Sequence, residues 1–228
     1  GLALWALPAL LAMGVWLWVP NRAESAGQGE AQAGLPWDQP RAWLISTFFA
    51  LQAGLFYALA TWVVARYHEA GLSLLHSNSL FSLSMLTGLP SSFLFPWLAQ
   101  RFGNRYGLLQ ACALLACVSL AMISFVPTLL PELWAVVIGL GLGGAFALSL
   151  VLPLYEASTP LAVSRWTSMM LCAGYGMASL APVLTGMARD LAGGYQPAFA
   201  VLTGLALLMV LLAWWMARGI APADTDAP

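Results

Sequence analysis

Seven apolar runs, each long enough to cross a bilayer, follow one another along the chain at residues 1–19, 42–65, 77–98, 106–126, 134–155, 166–188 and 199–217. A helix rises about 1.5 Å per residue, so ~20 apolar residues bridge the ~30 Å hydrocarbon layer of a membrane. The pattern predicts an all-α, polytopic membrane protein with seven transmembrane helices. One long polar stretch, NRAESAGQGEAQAGLPWDQPR, follows Pro20 and shows no apolar periodicity. Its Gly, Ala and Gln content reads as a flexible linker over 20–41. The chain thus divides into one span (1–19), the linker, a six-helix transmembrane domain (42–218) and a short tail (219–228).

Polar residues are unevenly shared among the six later runs. Residues 106–126 and 199–217 are almost wholly apolar, with Ser119, Ser124 and Thr203 as exceptions, which suits spans that face lipid. Thr47, Gly54, Tyr57 and Thr61 fall within roughly a 100° arc of the run 42–65, and Ser77, Ser84, Thr87 and Ser91 do the same in 77–98. Ser168, Tyr175, Ser179, Pro182 and Gly186 line one side of 166–188. Two readings of these stripes stay open: a solvated cavity, or hydroxyls that bond their own helix or a neighbouring one.

The run WAVVIGLGLGGAFALSLVLPLY (134–155) is the piece around which the others are expected to pack. Gly139, Gly141, Gly143 and Gly144 crowd its middle, where each glycine costs a water-soluble helix roughly 1 kcal/mol. Gly139 and Gly143, one turn apart, form a groove of the small-xxx-small kind. That groove, with Gly144 beside it, either receives a neighbouring backbone or faces a solute pathway.

Composition narrows the class. Of 228 residues 61% are apolar and 7% charged, the net charge is −1 and lysine is absent. An ordinary soluble domain carries about 25% charged residues, and a nucleic-acid surface is basic, so both classes are excluded. Cys112, Cys117 and Cys172 all lie inside apolar runs, as small hydrophobes do. His68 and His76, with Glu69 and Arg66, crowd one loop, but no second cluster accompanies them and no metal or cofactor is expected. That loop reads either as solvated or as a vestibule for small anions. Placing the linker in the cytoplasm puts Arg22, Arg41, Arg101, Arg105, Arg165 and Arg218 inside and only Arg66 and Arg189 outside, the sense of the positive-inside rule. The linker and C-terminus are therefore expected in the cytoplasm. Glu156 then sits at the cytoplasmic end of its helix as an interfacial charge.

Residues 96–105 read Pro-Trp-Leu-Ala-Gln-Arg-Phe-Gly-Asn-Arg. This resembles the loop G-x-x-x-D-R-x-G-R-R of the major facilitator superfamily, with Pro96 at the first Gly, Gln100 at the Asp, and Arg101, Gly103 and Arg105 in their places. The spacing is kept while the acid is lost. A short loop with a Gly turn and two Arg can bond helix C-terminal carbonyls and anionic head groups, locking one conformational state. The stretches ALWALPALLA, LQAGLFYALATW, LWAVVIGLGLGGAFAL and AGYGMASLAP look like successive stretches of the cyanate and nitroimidazole transporter (CynX/NimT) family within that superfamily. Departures occur at Trp62-Val63-Val64, where that family commonly has Trp-Leu-Pro, and at Leu171 and Cys172, where a Gln is usual.

The resemblance implies a secondary active transporter of the inner membrane, and no enzyme, that moves a small polar or anionic solute, cyanate- or nitroimidazole-like, by alternating access. Residues 1–19 would be its sixth span and 42–218 its C-terminal half, two three-helix units of opposite topology. The sequence looks like a fragment whose partner, an N-terminal six-helix half, is missing, and an Arg in that half would balance an anion. Within the present chain Gln52, Tyr57, Trp62, Ser84, Thr87, Ser149 and Tyr175 are the expected solute contacts: rings clamp a flat solute while hydroxyls replace its hydration. The other contacts are membrane lipids. A non-transporting membrane sensor and a channel-like helical bundle are the alternatives.

Overall fold

The computed structural model describes Met13, Gly14 and residues 34–218. The chain divides into two compact units, Gly1–Gly34 and Leu35–Pro228. Of the first, Met13 and Gly14 are helical and Gly34 is not. The rest of the expected span 1–19, the linker over 20–33 and the tail 219–228 lie outside the described residues.

The second unit is a bundle of seven helical segments: α1 Pro40–Glu69, α2 Leu74–Phe102, α3 Arg105–Phe125, α4 Pro131–Glu156, α5 Pro160–Ala178, α6 Ala181–Ala192 and α7 Tyr195–Arg218. Most reach beyond the apolar runs that predict them, because local capping chemistry, not hydropathy, sets the ends; α3 stops one residue short of its run, and the run 166–188 is divided between α5 and α6. Pro40 and Pro160 open α1 and α5 in the first turn, where a missing N–H costs nothing. Ser73, Asn104 and Thr159 accept hydrogen bonds from the backbone N–H of His76, Gly107 and Ala162 at 3.2, 3.0 and 3.2 Å. Gly103, at φ 66°, closes α2 in the left-handed conformation a glycine adopts without strain. The linker expected through residue 41 ends sooner. Residues 37–39 form a turn, Trp43 Nε1 donates to the Trp37 carbonyl at 3.0 Å, and α1 has already begun at Pro40.

α5 and α6 together make one membrane-length span, Pro160–Ala192. It is interrupted at Ser179 and Leu180, where the hydrogen-bonding tightens to Leu180 N–H donating to the Met177 carbonyl at 3.2 Å. Both residues keep right-handed helical angles, so the axis bends without ending. Pro182 supplies the cause, since it has no N–H to offer and its ring crowds the carbonyl four residues back. Pro90 and Pro96 lie inside α2, which nevertheless runs unbroken through 29 residues.

Five helical spans among the described residues are long and apolar enough to cross a membrane. α2 is as long, but its serines, threonine and prolines lower its hydropathy. Short loops make neighbours antiparallel, so successive helices alternate in direction. The helices pack in matched pairs. α2 lies along α4 as α5 lies along α1, α3 contacts α4 as α7 contacts α1, and α3 packs on α7. Exchanging α1 for α4, α2 for α5–α6 and α3 for α7 preserves this pattern, as expected of two three-helix units of opposite topology. Phe48, Phe49, Leu109, Leu120, Met169, Met170, Phe199 and Met209 are completely buried in the core. The outward faces of α3 and α7, with Leu114, Val118, Val201, Leu208, Leu211 and Trp215, are uniformly apolar, as a surface in contact with lipid must be.

Candidate functional site

A cavity of about 460 Å³ opens midway along the bundle, in the size range of small-molecule sites. Its wall comes from α1 (Gln52, Ala53, Phe56, Tyr57, Leu59), α2 (Ser84, Met85, Gly88, Leu89, Ser92), α4 (Ile138, Gly139, Leu142, Gly143, Phe146) and α5 (Tyr175). α3 and α7 contribute nothing to it. Four helices carrying polar stripes or a glycine groove thus meet around the space, while α3 and α7, which carry neither, stay outside it.

The seam between α2 and α4 forms one side. A Cβ on Gly143 would stand 2.9 Å from Gly88 Cα, and one on Gly139 would collide with the Ser84 carbonyl and the Thr87 hydroxyl. Such close approach lets hydroxyls reach across. Ser91 Oγ donates to the Leu140 carbonyl at 2.5 Å, and Thr87 Oγ1, which bonds the Leu83 and Ser84 carbonyls of its own helix at 3.1 Å, also stands 3.3 Å from that of Val136. Gly141 faces α3, where its Cβ would come within 2.7 Å of Ala116 N, and Gly144 faces Phe95 and Cys112 Sγ. Gly139 and Gly143 therefore serve the helix contact and border the cavity at once.

Aromatic rings gather along α1 and α5. Tyr57 and Tyr175 stack with centroids 6.3 Å apart and planes 30° from parallel, while Phe49 meets Tyr175 edge-on at 5.0 Å. Gly174 gives Phe49 its room, since a Cβ there would lie 2.5 Å from that ring. Among the described residues neither phenol hydroxyl has a hydrogen-bond partner. Gln52 is 2% exposed; its Nε2 donates to the Leu142 carbonyl at 3.1 Å, tying α1 to α4, and its Oε1 has no partner.

Four of the seven expected solute contacts, Gln52, Tyr57, Ser84 and Tyr175, border this cavity. Trp62, Thr87 and Ser149 do not. Trp62 Nε1 donates to the Pro182 carbonyl at 2.8 Å, and its ring packs on Tyr195 and against Gly186. Ser149 is fully buried and bonds the Phe146 carbonyl of its own helix. The stripe Ser77, Ser84, Thr87 and Ser91 is largely the packing face toward α4. The cavity-facing series of α2 is the neighbouring one, Ser84, Gly88 and Ser92, spaced four apart and sharing a face. That spacing is the signal a reading of the sequence needs to find Gly88 and Ser92. Phe56, Met85 and Phe146 carry no such signal.

The ends of the bundle are held by charge. At one end Arg41 grips Glu156 with two bonds, Nε to Oε2 and Nη2 to Oε1, both 2.8 Å, and Nη2 also donates to the Met216 carbonyl at 3.2 Å. Glu156 thus ties α4 to Arg41 of α1, which in turn reaches α7. Gln100 and Arg101 end α2 here, and Arg105 begins α3. Arg105 lies 4.0 Å over the Tyr155 ring and Arg101 5.8 Å over that of Trp97. Among the described residues neither guanidinium bonds a helix carbonyl. The expected carbonyl contacts are replaced by stacking, because flat cations and rings meet readily at a membrane boundary.

At the other end Arg66, 5% exposed, donates to the Ser124 carbonyl at 2.7 Å and pairs with Glu69 at 3.4 Å. Glu69 in turn accepts the Tyr195 N–H at 2.9 and 3.1 Å, capping α7. His68 Nδ1 lies 3.0 Å from the Leu72 carbonyl and His76 Nε2 2.9 Å from Glu132. Arg66 is buried, but His68 and Glu69 are exposed and the paired side chains of His76 and Glu132 stand 43% and 60% open to solvent, so the loop is solvated, one of the two expected readings. No group of three His, Cys, Asp or Glu fit for a metal ion occurs among the described residues.

Antiparallel spans, apolar outer faces and a mid-depth cavity define a multi-pass membrane protein built to surround a small space. Residues 1–174 match the family model of the Major Facilitator Superfamily, and the chain belongs to that family. It is 35% identical over 216 residues to the cyanate transport protein CynX of Escherichia coli (strain K12), covering 92% of this chain and 56% of that protein. It is 26% identical to the 2-nitroimidazole transporter of the same strain, over 90% of this chain and 52% of that one. The chain spans about half the length of the curated relatives it matches. A crystal structure of the POT family transporter PepTSo superposes with a TM-score of 0.65 at 16% identity, covering 82% of this chain and 40% of that one, and so shares the fold.

Proposed function

We propose that residues 35–218 are the C-terminal half of a secondary active transporter, and that the cavity between α1, α2, α4 and α5 is this half's share of the solute pathway. The stacked pair Tyr57 and Tyr175 carries the reading. Two phenols with free hydroxyls border a largely apolar cavity at mid-depth, where a flat polar solute finds both a ring to lie on and hydroxyls to replace its water. Gln52 and Ser84 are the other two expected contacts that reach the space.

The names of the relatives point to a cyanate- or nitroimidazole-like solute. An N-terminal six-helix half completes the pathway and rocks against this one. The cation that balances an anionic solute belongs to that half, because no charged side chain borders the cavity. The protein lies in an inner membrane with the Arg41, Arg101, Arg105 and Arg218 end in the cytoplasm, which also places the linker and C-terminus there. At that end Gln100, Arg101, Gly103 and Arg105 form the loop whose state changes with the direction of opening.

Uptake of labelled cyanate by proteoliposomes holding the full-length protein tests the reading. Tyr57→Ala and Tyr175→Ala are each expected to lower uptake at least tenfold with the protein still inserted and folded. Unchanged uptake in both would remove the phenol pair, and with it the cavity, from the pathway.

A further inference from the structure

A second cavity, of about 290 Å³, lies on the opposite face of α1, between that helix, the α5–α6 joint and α7. It shares no residue with the first. Thr47, Leu51 and Gly54 of α1 form its floor, and the small side chains of Ala178, Ala181 and Ala198 stand along its sides. No charged side chain lines it, and the Thr185 hydroxyl is spent on the Ala181 carbonyl at 2.7 Å. The two three-helix units differ at this point. In one, the ring of Phe95, the residue before Pro96 of α2, lies over Gly144 of α4, where a Cβ would come 2.5 Å from Phe95 Cδ2. In the other, Ala181, the residue before Pro182 of α6, lies over Gly54 of α1, its methyl 3.3 Å from such a Cβ. Phe146 and Phe56 each follow their glycine by two residues, so the positions correspond. One unit fills with a phenyl ring what the other leaves to a methyl group.

We propose that an acyl chain of a membrane phospholipid occupies this second cavity, in the place that Phe95 fills in the other unit. Apolar voids do not hold water: cavities of about 150 Å³ with such walls stay dry and take up benzene or xenon. Left empty, the space would forfeit the dispersion contacts of its lining atoms. Lipid is the apolar material at hand, because the rim is continuous with the outward face of α7. Val201 and Leu205 of α7, and Met177 and Leu184 across the groove from them, all border the cavity and are all exposed. A chain that enters between them touches Met177 and Ala178 ahead of the interruption at Ser179 and Leu180, and Ala181 and Leu184 beyond it. It therefore packs against both arms of the bend.

Photolabelling tests the proposal with full-length protein in vesicles of phosphatidylethanolamine and phosphatidylglycerol, to which a trace of phosphatidylcholine with a diazirine midway along one acyl chain is added. Light turns the diazirine into a carbene that inserts into the side chain it touches, and peptide mass spectrometry locates the insertion. Label is expected at Thr47 and Leu51, on a helix that α2, α4, α5, α6 and α7 otherwise surround, as well as at Leu114 and Val118 on the lipid-facing side of α3. In Ala181→Phe, which installs the plug of the other unit, the α1 label is expected to fall about tenfold, since a close-packed interior has no void for a second occupant. The α3 label is expected to stay unchanged. Thermal melting establishes that the variant is folded; should it not be, Val201→Trp, which narrows the mouth from an exposed rim position, is expected to lower the α1 label in the same direction. Absence of label from Thr47 and Leu51 in the wild type would show that another segment of the protein covers the groove, and would overturn the proposal. So would an α1 label that persists undiminished in the folded variant.

Discussion

Gly143 of α4 meets the backbone of Gly88 of α2 with no room for a side chain of its own: a Cβ on Gly143 would sit 2.9 Å from Gly88 Cα, whereas one on Gly88 would make ordinary contact with the Gly139 carbonyl at 3.5 Å. A substitution here cannot be absorbed by a rotamer change, because the colliding atoms are main chain. Gly143→Val and Gly139→Val are each expected to destabilise the bundle by about 1–3 kcal/mol, the usual cost of overpacking. Gly204→Ala in α7, where a Cβ meets nothing within 4 Å, is expected to be neutral or stabilising by up to about 1 kcal/mol. Melting temperatures of the solubilised full-length variants compare the three.

The Arg41–Glu156 pair joins the first turn of α1 to the last turn of α4, with side chains 24% and 13% exposed. Charge-assisted, two-pronged bonds of this kind are stronger than surface pairs. Glu156→Gln and Arg41→Gln are each expected to lower the melting temperature, with the double variant losing less than the sum. A coupling of about 1–2 kcal/mol in that cycle is the expected result, and strict additivity would mean that the pair contributes no coupling.

Arg66 and Glu69 divide their work at the opposite end. Arg66→Met leaves the Ser124 carbonyl without its donor and Glu69 without a cation, so it is expected to destabilise by about 2–4 kcal/mol. Glu69→Gln keeps an acceptor for the Tyr195 N–H and is expected to cost less than half as much. Hydrogen exchange at the Tyr195 amide, read by mass spectrometry, is expected to quicken strongly in the first and slightly in the second.

Accessibility separates the inner from the outer helices. In a cysteine-free background, Phe56→Cys and Met85→Cys border the cavity, whereas Leu114→Cys and Leu208→Cys lie on the outward faces of α3 and α7. A charged, membrane-impermeant maleimide is expected to label the first two and spare the last two in intact membranes. Equal labelling would dissolve the distinction between cavity walls and lipid-facing spans.

Much of this architecture is legible in the chain because hydropathy and position 3.6 apart are read directly from it. The apolar runs mark the spans, and the bareness of 106–126 and 199–217 marks the helices that stay clear of the cavity. The helix ends are not legible from hydropathy, since Ser73, Asn104 and Thr159 act through single hydrogen bonds. The bend after Ala178 was written as Pro182, but Pro90 and Pro96 in α2 show that a proline alone does not decide. Hydroxyls were the least readable. Ser91 spends its proton across a helix contact and Ser149 within its own helix, and nothing in residue type distinguishes either from a group that faces a solute. Gln52 could be placed at the cavity from its neighbours, but the direction of its amide required the Leu142 carbonyl to be seen.

The stitching of α2 to α4 settles which wall of the cavity can yield. Thr87, Ser91 and the interlocked glycines make those two helices one plank, while α5 leans on α1 through ring contacts and bends just past Tyr175. The Tyr175 phenol that borders the space thus stands one turn before the interruption at Ser179 and Leu180, so a shift of the chain at that joint would change the width of the opening.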